Sequence, residues 1–274
     1  MPPKPLGAAL QNPNFSPSPF GIGSRVTLVD RVVERIRLRI IDGDLLPGQH
    51  VHQQEFADML EVSRTPLREA FRRLEAEGWL RLRAHHGAEV TALSFTEAEE
   101  IFSMRTLLET FAIRVSTLNH TDDDARVAWD MLEVRPREMT RDASSPTFDE
   151  LNSQFHLLLY GFGRELLPRR LEQTISHLWA RGMRYRQFYW SAGSAVERSL
   201  TDHRVIFEAW QRRDPVASER ALGHHVLNAL GTITSHLDGA VPSSPAIVEL
   251  AKKYGVQLAK ETTEDAQTRL IVNG

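Results

Sequence analysis

Four side chains have spacings that suit metal coordination. Asn152 and His156 are four residues apart, so on a helix both project from one face. His203 lies 11 residues before Asp214, and His225 lies 11 residues after it. If Asp214-Pro215 joins two antiparallel helices, these imidazoles sit at one level and can face each other. Three imidazoles and one oxygen ligand suit Zn²⁺, with Ni²⁺ or Mn²⁺ as alternatives, and leave a position open for a ligand. The plain alternative is that each histidine is a polar core or surface residue, the ordinary fate of a lone histidine. His224 points to a different face from His225 and reads as surface; His177 has no partner by spacing. There are no cysteines, so thiolate sites and disulfides are excluded. A hydrolase with metal-activated water could use the same three histidines. It lacks a carboxylate spaced as general base, because only Glu208, about a turn from His203, is near. No nucleophile motif appears either.

A second chemistry sits in EVSRTPLREAFRRLEAEGWL, residues 61–80. Arg64 and Arg68 are crowded at a helix start, and being four apart they share a face. Ser63 or Thr65 can cap that helix, and Pro66 suits its first turn, where a missing N–H costs nothing. Arginine grips guanine or phosphate bidentately, and a helix N-terminus adds free N–H groups for phosphate. Arg72 continues the face. For Arg72 and Arg73 the competing reading is a solvated face paired with Glu69, Glu75 and Glu77.

These residues need elements to hold them. Leu28, Val32, Ile36 and Ile40 are four apart and predict a helix over 27–43, stopped by Gly43. A short helix follows at 52–61 with Phe56, Met59 and Leu60 inward, then a corner at Val62-Ser63. A third helix runs to about Glu77. Trp79, Leu80 and Leu82 then alternate with Arg81 and Arg83 before a His85-His86-Gly87 turn and an apolar Val90, which predicts a β-hairpin. A short helix, a tight corner and a cation-led second helix make a helix-turn-helix, and the hairpin is its wing. Gly87 would let the tip approach a phosphate or the minor groove closely; the competing reading of the two histidines is a polar turn without a partner.

After Ser94 no convincing strand recurs. Helices are expected at 95–118, 122–138, 147–162, 165–190, 194–212, 215–237 and 245–260. The fold class is therefore mainly α: a winged helix-turn-helix over 25–92, then an all-helical bundle over 93–240. Residues 1–24, rich in Pro, Gly, Ser and Asn, read as a disordered arm, and 241–274 as an extension. Net charge over the 274 residues is −3, but the first 92 hold 12 Lys and Arg against 11 Asp and Glu. Clustered arginines give a local positive potential that net charge hides. No apolar run approaches the ~20 residues that cross a bilayer. No secretory signal is visible, so a cytoplasmic protein with no membrane partner is the expectation.

LLPGQ, EFADMLEVSRTPLREAFRRLEAEGWL and HHGAEV together resemble the winged helix-turn-helix of the GntR family of bacterial transcription regulators, over about 27–92. The resemblance implies operator contacts from Arg64 and Arg68 and from a wing tip at His86 and Gly87; Ser63, Thr65 and Arg72, read from the helix start and its face, complete the candidate DNA-binding set. The helical remainder, over about 95–237, resembles the ligand-sensing FCD domain of the FadR subfamily, with R-T-L-L-E at 105–109 matching its first helix. That domain holds a metal with an Asp, a His four later and two further His about 22 apart. Here Asn152 stands where the Asp is usual, and an amide oxygen brings no charge. The resemblance also implies that metal and an arginine together hold a small carboxylate effector. Arg105 is the first candidate, against an internal salt bridge to Glu109; Arg184 and Arg186 are further ones. Phe188, Tyr189 and Trp190 read as bundle packing. The implied function is a regulator, a repressor by family habit, that binds double-stranded palindromic operator DNA as a homodimer. An architectural DNA-binding protein without a ligand is the alternative to this and to the hydrolase.

Overall fold

The computed structural model describes residues 27–83, 87–134, 146–186, 188, 195–237 and 241–258. The chain divides after Leu93 into two compact units, Met1–Leu93 and Ser94–Gly274.

The first unit opens with α1, Leu28–Ile41. Thr27 and Asp30 cap it reciprocally: the Thr27 hydroxyl accepts from the Asp30 amide at 3.1 Å, and the Asp30 carboxylate accepts from the Thr27 amide at 2.8 Å. Its buried stripe is Val32, Val33, Ile36 and Ile40. Leu28 does not join the stripe as the four-residue spacing suggested; it lies in the first turn and is 39% exposed. Helix α2 spans Gln53–Leu60 and α3 spans Arg64–Ala76. The corner between them turns on Glu61, whose left-handed φ of 53° lets the Val62 amide close back onto the Ala57 carbonyl. Ser63 occupies the N-cap position of α3, yet its hydroxyl makes no capping bond. Leu67, Ala70, Phe71 and Leu74 form the buried face of α3. A three-stranded antiparallel sheet completes the unit: β1 His50–Val51, β2 Leu80–Arg83 and β3 Gly87–Val90, in the order β1-β3-β2. The arm at 1–24 and the wing-tip histidines His85 and His86 lie outside the described residues.

In the second unit the described secondary structure is helical. The elements are α4 Phe95–Thr117, α5 Asp122–Trp129 running into a π-helical turn Asp130–Val134, α6 Pro146–Leu159, α7 Arg169–Met183, α8 Ala195–Gln211, α9 Pro215–Leu237 and α10 Pro245–Tyr254. Helix α4 packs along α9 and against α7, and α8 packs on α9. Thr106, Thr110 and Thr117 are buried on α4, each hydroxyl donating to the carbonyl four residues back. Helix α7 begins at Arg169 rather than 165. Glu165 takes φ 58°, and Pro168 keeps its predecessor out of helical geometry. Helix α10 ends at Tyr254 rather than 260, because Gly255 turns left-handed at φ 71°. The segment leading into α10 is tied to α4 by Glu99, which accepts from the Ser243 and Ser244 amides at 2.7 and 3.0 Å. Tyr189 and Trp190 lie outside the described residues. Among the described residues no helix is long and apolar enough to cross a membrane.

Candidate metal centre and nucleic-acid interface

Helix α6 carries Asn152 and His156, with Tyr160 just past its end; α8 carries Ser199, Asp202 and His203; α9 carries His225. The fold brings the three histidines together. One ring nitrogen from each lies within 4.8 Å of the others. The Nε2 atoms of His156 and His203 are 3.0 Å apart. The rings of His203 and His225 are 4.8 Å apart, and those of His156 and His225 are 5.4 Å apart. A tetrahedral ion with bonds of about 2.0–2.1 Å needs ligand nitrogens roughly 3.3 Å from each other. The cluster is close to that size. Asn152 stands one helical turn before His156, and its Oδ1 is buried without a hydrogen-bond partner among the described residues. A buried acceptor one helical turn from the first of three converging imidazoles is what a cation ligand set would explain. The residues present therefore fit a metal ion.

Electrostatics favour the same use. Burial pushes the His156 imidazole well below its ordinary value of 6.5, and proximity to His203, His225 and Arg105 adds to the effect. Burial does the same to His203, with His225 contributing. Both rings are therefore neutral at pH 7, with lone pairs to offer. Aromatic rings wall the cluster: Trp179 lies 4.8 Å from His156, and Phe155 lies 5.2 Å from His203. The Trp179 indole N–H donates to Ser153 at 3.2 Å, which fixes that wall.

Arg105 is part of this neighbourhood. Its guanidinium lies over Trp179 at 4.4 Å and over Phe102 at 4.9 Å. Its Nε donates to Glu109 at 2.7 Å, the internal salt bridge that the i, i+4 spacing allowed. A Cβ on Gly182 would sit 2.8 Å from Arg105 Nη1, so this glycine makes room for the guanidinium. Arg184, just past the end of α7, is elsewhere: buried, it pairs with Glu97 of α4, about 12 Å along that helix from Arg105. Arg181 and the Tyr185 hydroxyl also bind Glu97. Arg186 and Phe188 are half-buried, and His177 is exposed. His224, also half-buried, meets Asn228 at 3.0 Å.

Sequence reasoning missed Asp202, Tyr160 and the second role of Glu109. Asp202 Oδ2 is 3.1 Å from His225 Nδ1. The Tyr160 hydroxyl donates to Glu109 at 2.6 Å and meets His156 Nδ1 at 3.1 Å. The same-level rule that paired His203 with His225 places Asp202 beside His225 as well.

In the first unit, Ser63, Arg64, Thr65, Arg68 and Arg72 are all exposed on α3. Arg64, Arg68 and Arg72 form a stripe about 12 Å long, near the width of the major groove. Arg64 is aimed by a 2.7 Å hydrogen bond to Gln54 of α2. Arg73, on the adjacent face, is tied to Asp30 at 2.6 Å and Glu77 at 3.1 Å, so it braces the fold. Gly87 opens β3 with φ 84°, and a Cβ there would meet the Val51 carbonyl oxygen at 2.5 Å. Close approach of β1 is thus sufficient reason for glycine at this position.

Residues 28–90 match the family model for bacterial regulatory proteins of the gntR family, and residues 100–228 match the FCD domain. The chain belongs to the GntR family. Among its relatives, the uncharacterized HTH-type transcriptional regulator YdhC of Bacillus subtilis (strain 168) is 26% identical over 203 residues, 74% of this chain and 88% of that protein. The probable D-xylose utilization operon transcriptional repressor of Paenarthrobacter nicotinovorans is 28% identical over 226 residues, 81% of this chain and 95% of that protein. Among solved structures, E. coli McbR/YncC shares the fold with a TM-score of 0.65 and 21% identity, covering 76% of this chain and 98% of that one. This GntR-family chain is a DNA-binding transcriptional regulator, and its domains are not those of an enzyme.

Proposed function

We propose that this regulator is a repressor whose operator affinity is set by a small carboxylate bound at a metal ion in the helical unit. His156, His203, His225 and Asn152 hold the ion. The observation that carries the reading is the buried, partnerless Asn152 Oδ1 one turn from His156, in a set whose three histidine nitrogens lie within 4.8 Å. Three imidazoles and a neutral amide favour a borderline cation, Zn²⁺ first and Ni²⁺ next, over oxygen-seeking Mn²⁺. When bound, the ion supplies a Lewis acid at which a carboxylate oxygen can sit. The chain supplies the rest: Trp179 and Phe155 exclude water, and Arg105 contributes a guanidinium whose Nε and Nη2 donate to Glu109 at 2.7 and 3.4 Å and whose Nη1 is not taken by Glu109. Arg184, spent on Glu97, is the lesser candidate.

The DNA side of the proposal assigns Arg64, Arg68 and Arg72 to the major groove, with Ser63 and Thr65 at the helix start. His86 and Gly87 belong to the wing. Two such helices must be presented to a palindrome, so a homodimer is required. The outer face of α4 supports one. Met104, Leu107, Phe111 and Leu118 recur at three, four and seven residues and are 43–59% exposed. That apolar ridge is about 21 Å long and suits a second copy of itself across a two-fold axis. Repression is favoured because the Paenarthrobacter relative is a probable transcriptional repressor.

The test is a thermal-shift panel of small carboxylic acids on Zn²⁺-loaded and chelator-treated protein. An acid that raises the melting temperature only with the ion present supports the reading. If no acid acts and chelation changes nothing, the site is not a metal-dependent sensor.

A further inference from the structure

Two of the three histidines are held from outside, His225 by a carboxylate directly and His156 by a tyrosine hydroxyl that is itself held by a carboxylate. A carboxylate accepts hydrogen bonds and has no proton to give, so His225 must turn its Nδ1–H toward Asp202 at 3.1 Å. That leaves Nε2 as the lone-pair nitrogen. His156 reaches the same state through a relay. The buried Tyr160 hydroxyl gives its proton to Glu109 at 2.6 Å, so its oxygen can only accept from His156 Nδ1 at 3.1 Å. His156 Nε2 is then also a lone-pair nitrogen, and it is the atom 3.0 Å from His203 Nε2. In metal-free protein a neutral His203 completes that contact by donating its Nε2–H.

We infer that Asp202, and Tyr160 together with Glu109, are positioning residues that preset the tautomer and ring orientation of His225 and His156 for metal, leaving His203 to adapt. The inference rests on the metal reading above and deepens it. Outer carboxylates of this kind orient the ring and make the ligating nitrogen more basic; their loss typically costs about 10- to 100-fold in metal affinity. The arrangement has a consequence for α4. Glu109 is shared between Tyr160 and Arg105, so the group that steadies His156 also occupies the arginine assigned to the effector.

The experiment titrates the chelator-treated full chain with Zn²⁺ by calorimetry and with Co²⁺ by visible absorption. Asp202→Ala is the principal variant, because Asp202 is half-exposed and its removal opens no hole in the core. Asp202→Glu tests rescue, Tyr160→Phe tests the relay, and His203→Ala reports on the ligand set itself. We expect His203→Ala to lose tight binding. Asp202→Ala and Tyr160→Phe should weaken Zn²⁺ about 10- to 100-fold and change the Co²⁺ spectrum, with Asp202→Glu recovering part of the loss. Metal-free melting should stay near wild type for Asp202→Ala. If Asp202→Ala and Tyr160→Phe bind both ions as wild type does while His203→Ala fails, the inference is overturned and the metal reading stands. If His203→Ala binds like wild type, or wild type binds neither ion, both fall together.

Discussion

Replacing Arg68 by Ala isolates the DNA contact. The residue is exposed on α3 between Arg64 and Arg72, and it forms no ion pair among the described residues. Its removal should therefore leave the fold intact and act on DNA alone. A well-made arginine contact to a base edge is worth about 1–3 kcal/mol, or roughly 5- to 150-fold in affinity, with relaxed preference at one position. If Arg68 meets a phosphate instead, the loss is uniform across sequences, and the slope of log affinity against log salt falls by about 0.9. Arg73→Ala is the matched control, one turn and one face away. Its guanidinium is spent on Asp30 and Glu77, so its loss should lower stability and leave DNA affinity near wild type. The assay is fluorescence anisotropy with a palindromic duplex selected from a random pool, at several salt concentrations. If Arg68→Ala keeps both affinity and salt slope while Arg73→Ala loses them, the assignment of the α3 stripe is wrong.

Three other perturbations follow from the structure. Phe111→Asp places a charge in the middle of the exposed α4 ridge. Light scattering should show a shift from dimer to monomer with circular dichroism unchanged, and a variant that stays dimeric would move the interface elsewhere. Gly223→Ala puts a Cβ 2.5–2.7 Å from three ring atoms of Tyr254, whose hydroxyl is anchored to Thr110 and Glu219 at 3.2 Å. The ring cannot swing away, so urea unfolding should report a loss of about 1–3 kcal/mol; wild-type stability would mean α10 is not packed as described. In chelated protein, the lowered His156 and His203 values mean that the unfolded chain binds protons the folded one refuses. Stability should be level above about pH 6.5 and fall below it, by up to about 1.4 kcal/mol per pH unit for each ring. A midpoint that does not move between pH 7.5 and 5.5 would show that these rings are not buried neutral.

What the sequence makes legible is what periodicity and turn chemistry encode. The α2–α3 corner, the hairpin and the α8–α9 turn at Asp214-Pro215 all have local signals, and the equal offsets of His203 and His225 from that turn follow from helix geometry. Strand β1 has two residues and no period to detect; it exists because β3 pairs with it. Leu28 has the right spacing but lies in the first turn, where its helical face passes beyond the core. Asp202, Tyr160 and Glu109 are harder to read for another reason. Their roles are fixed by which atom faces which across four helices, and a polar residue beside a histidine in sequence points about 100° away from it on the helix.

The most direct measurement of the central claim is the affinity of the full chain for its selected duplex, with Zn²⁺ and the acid identified by thermal shift, in wild type and in His203→Ala. The account expects the acid to weaken DNA binding of Zn²⁺-loaded wild type and to leave the variant unaffected, although both bind the duplex without acid. Equal responses from the two proteins would contradict it, because the signal would then reach α3 from somewhere other than the histidine cluster.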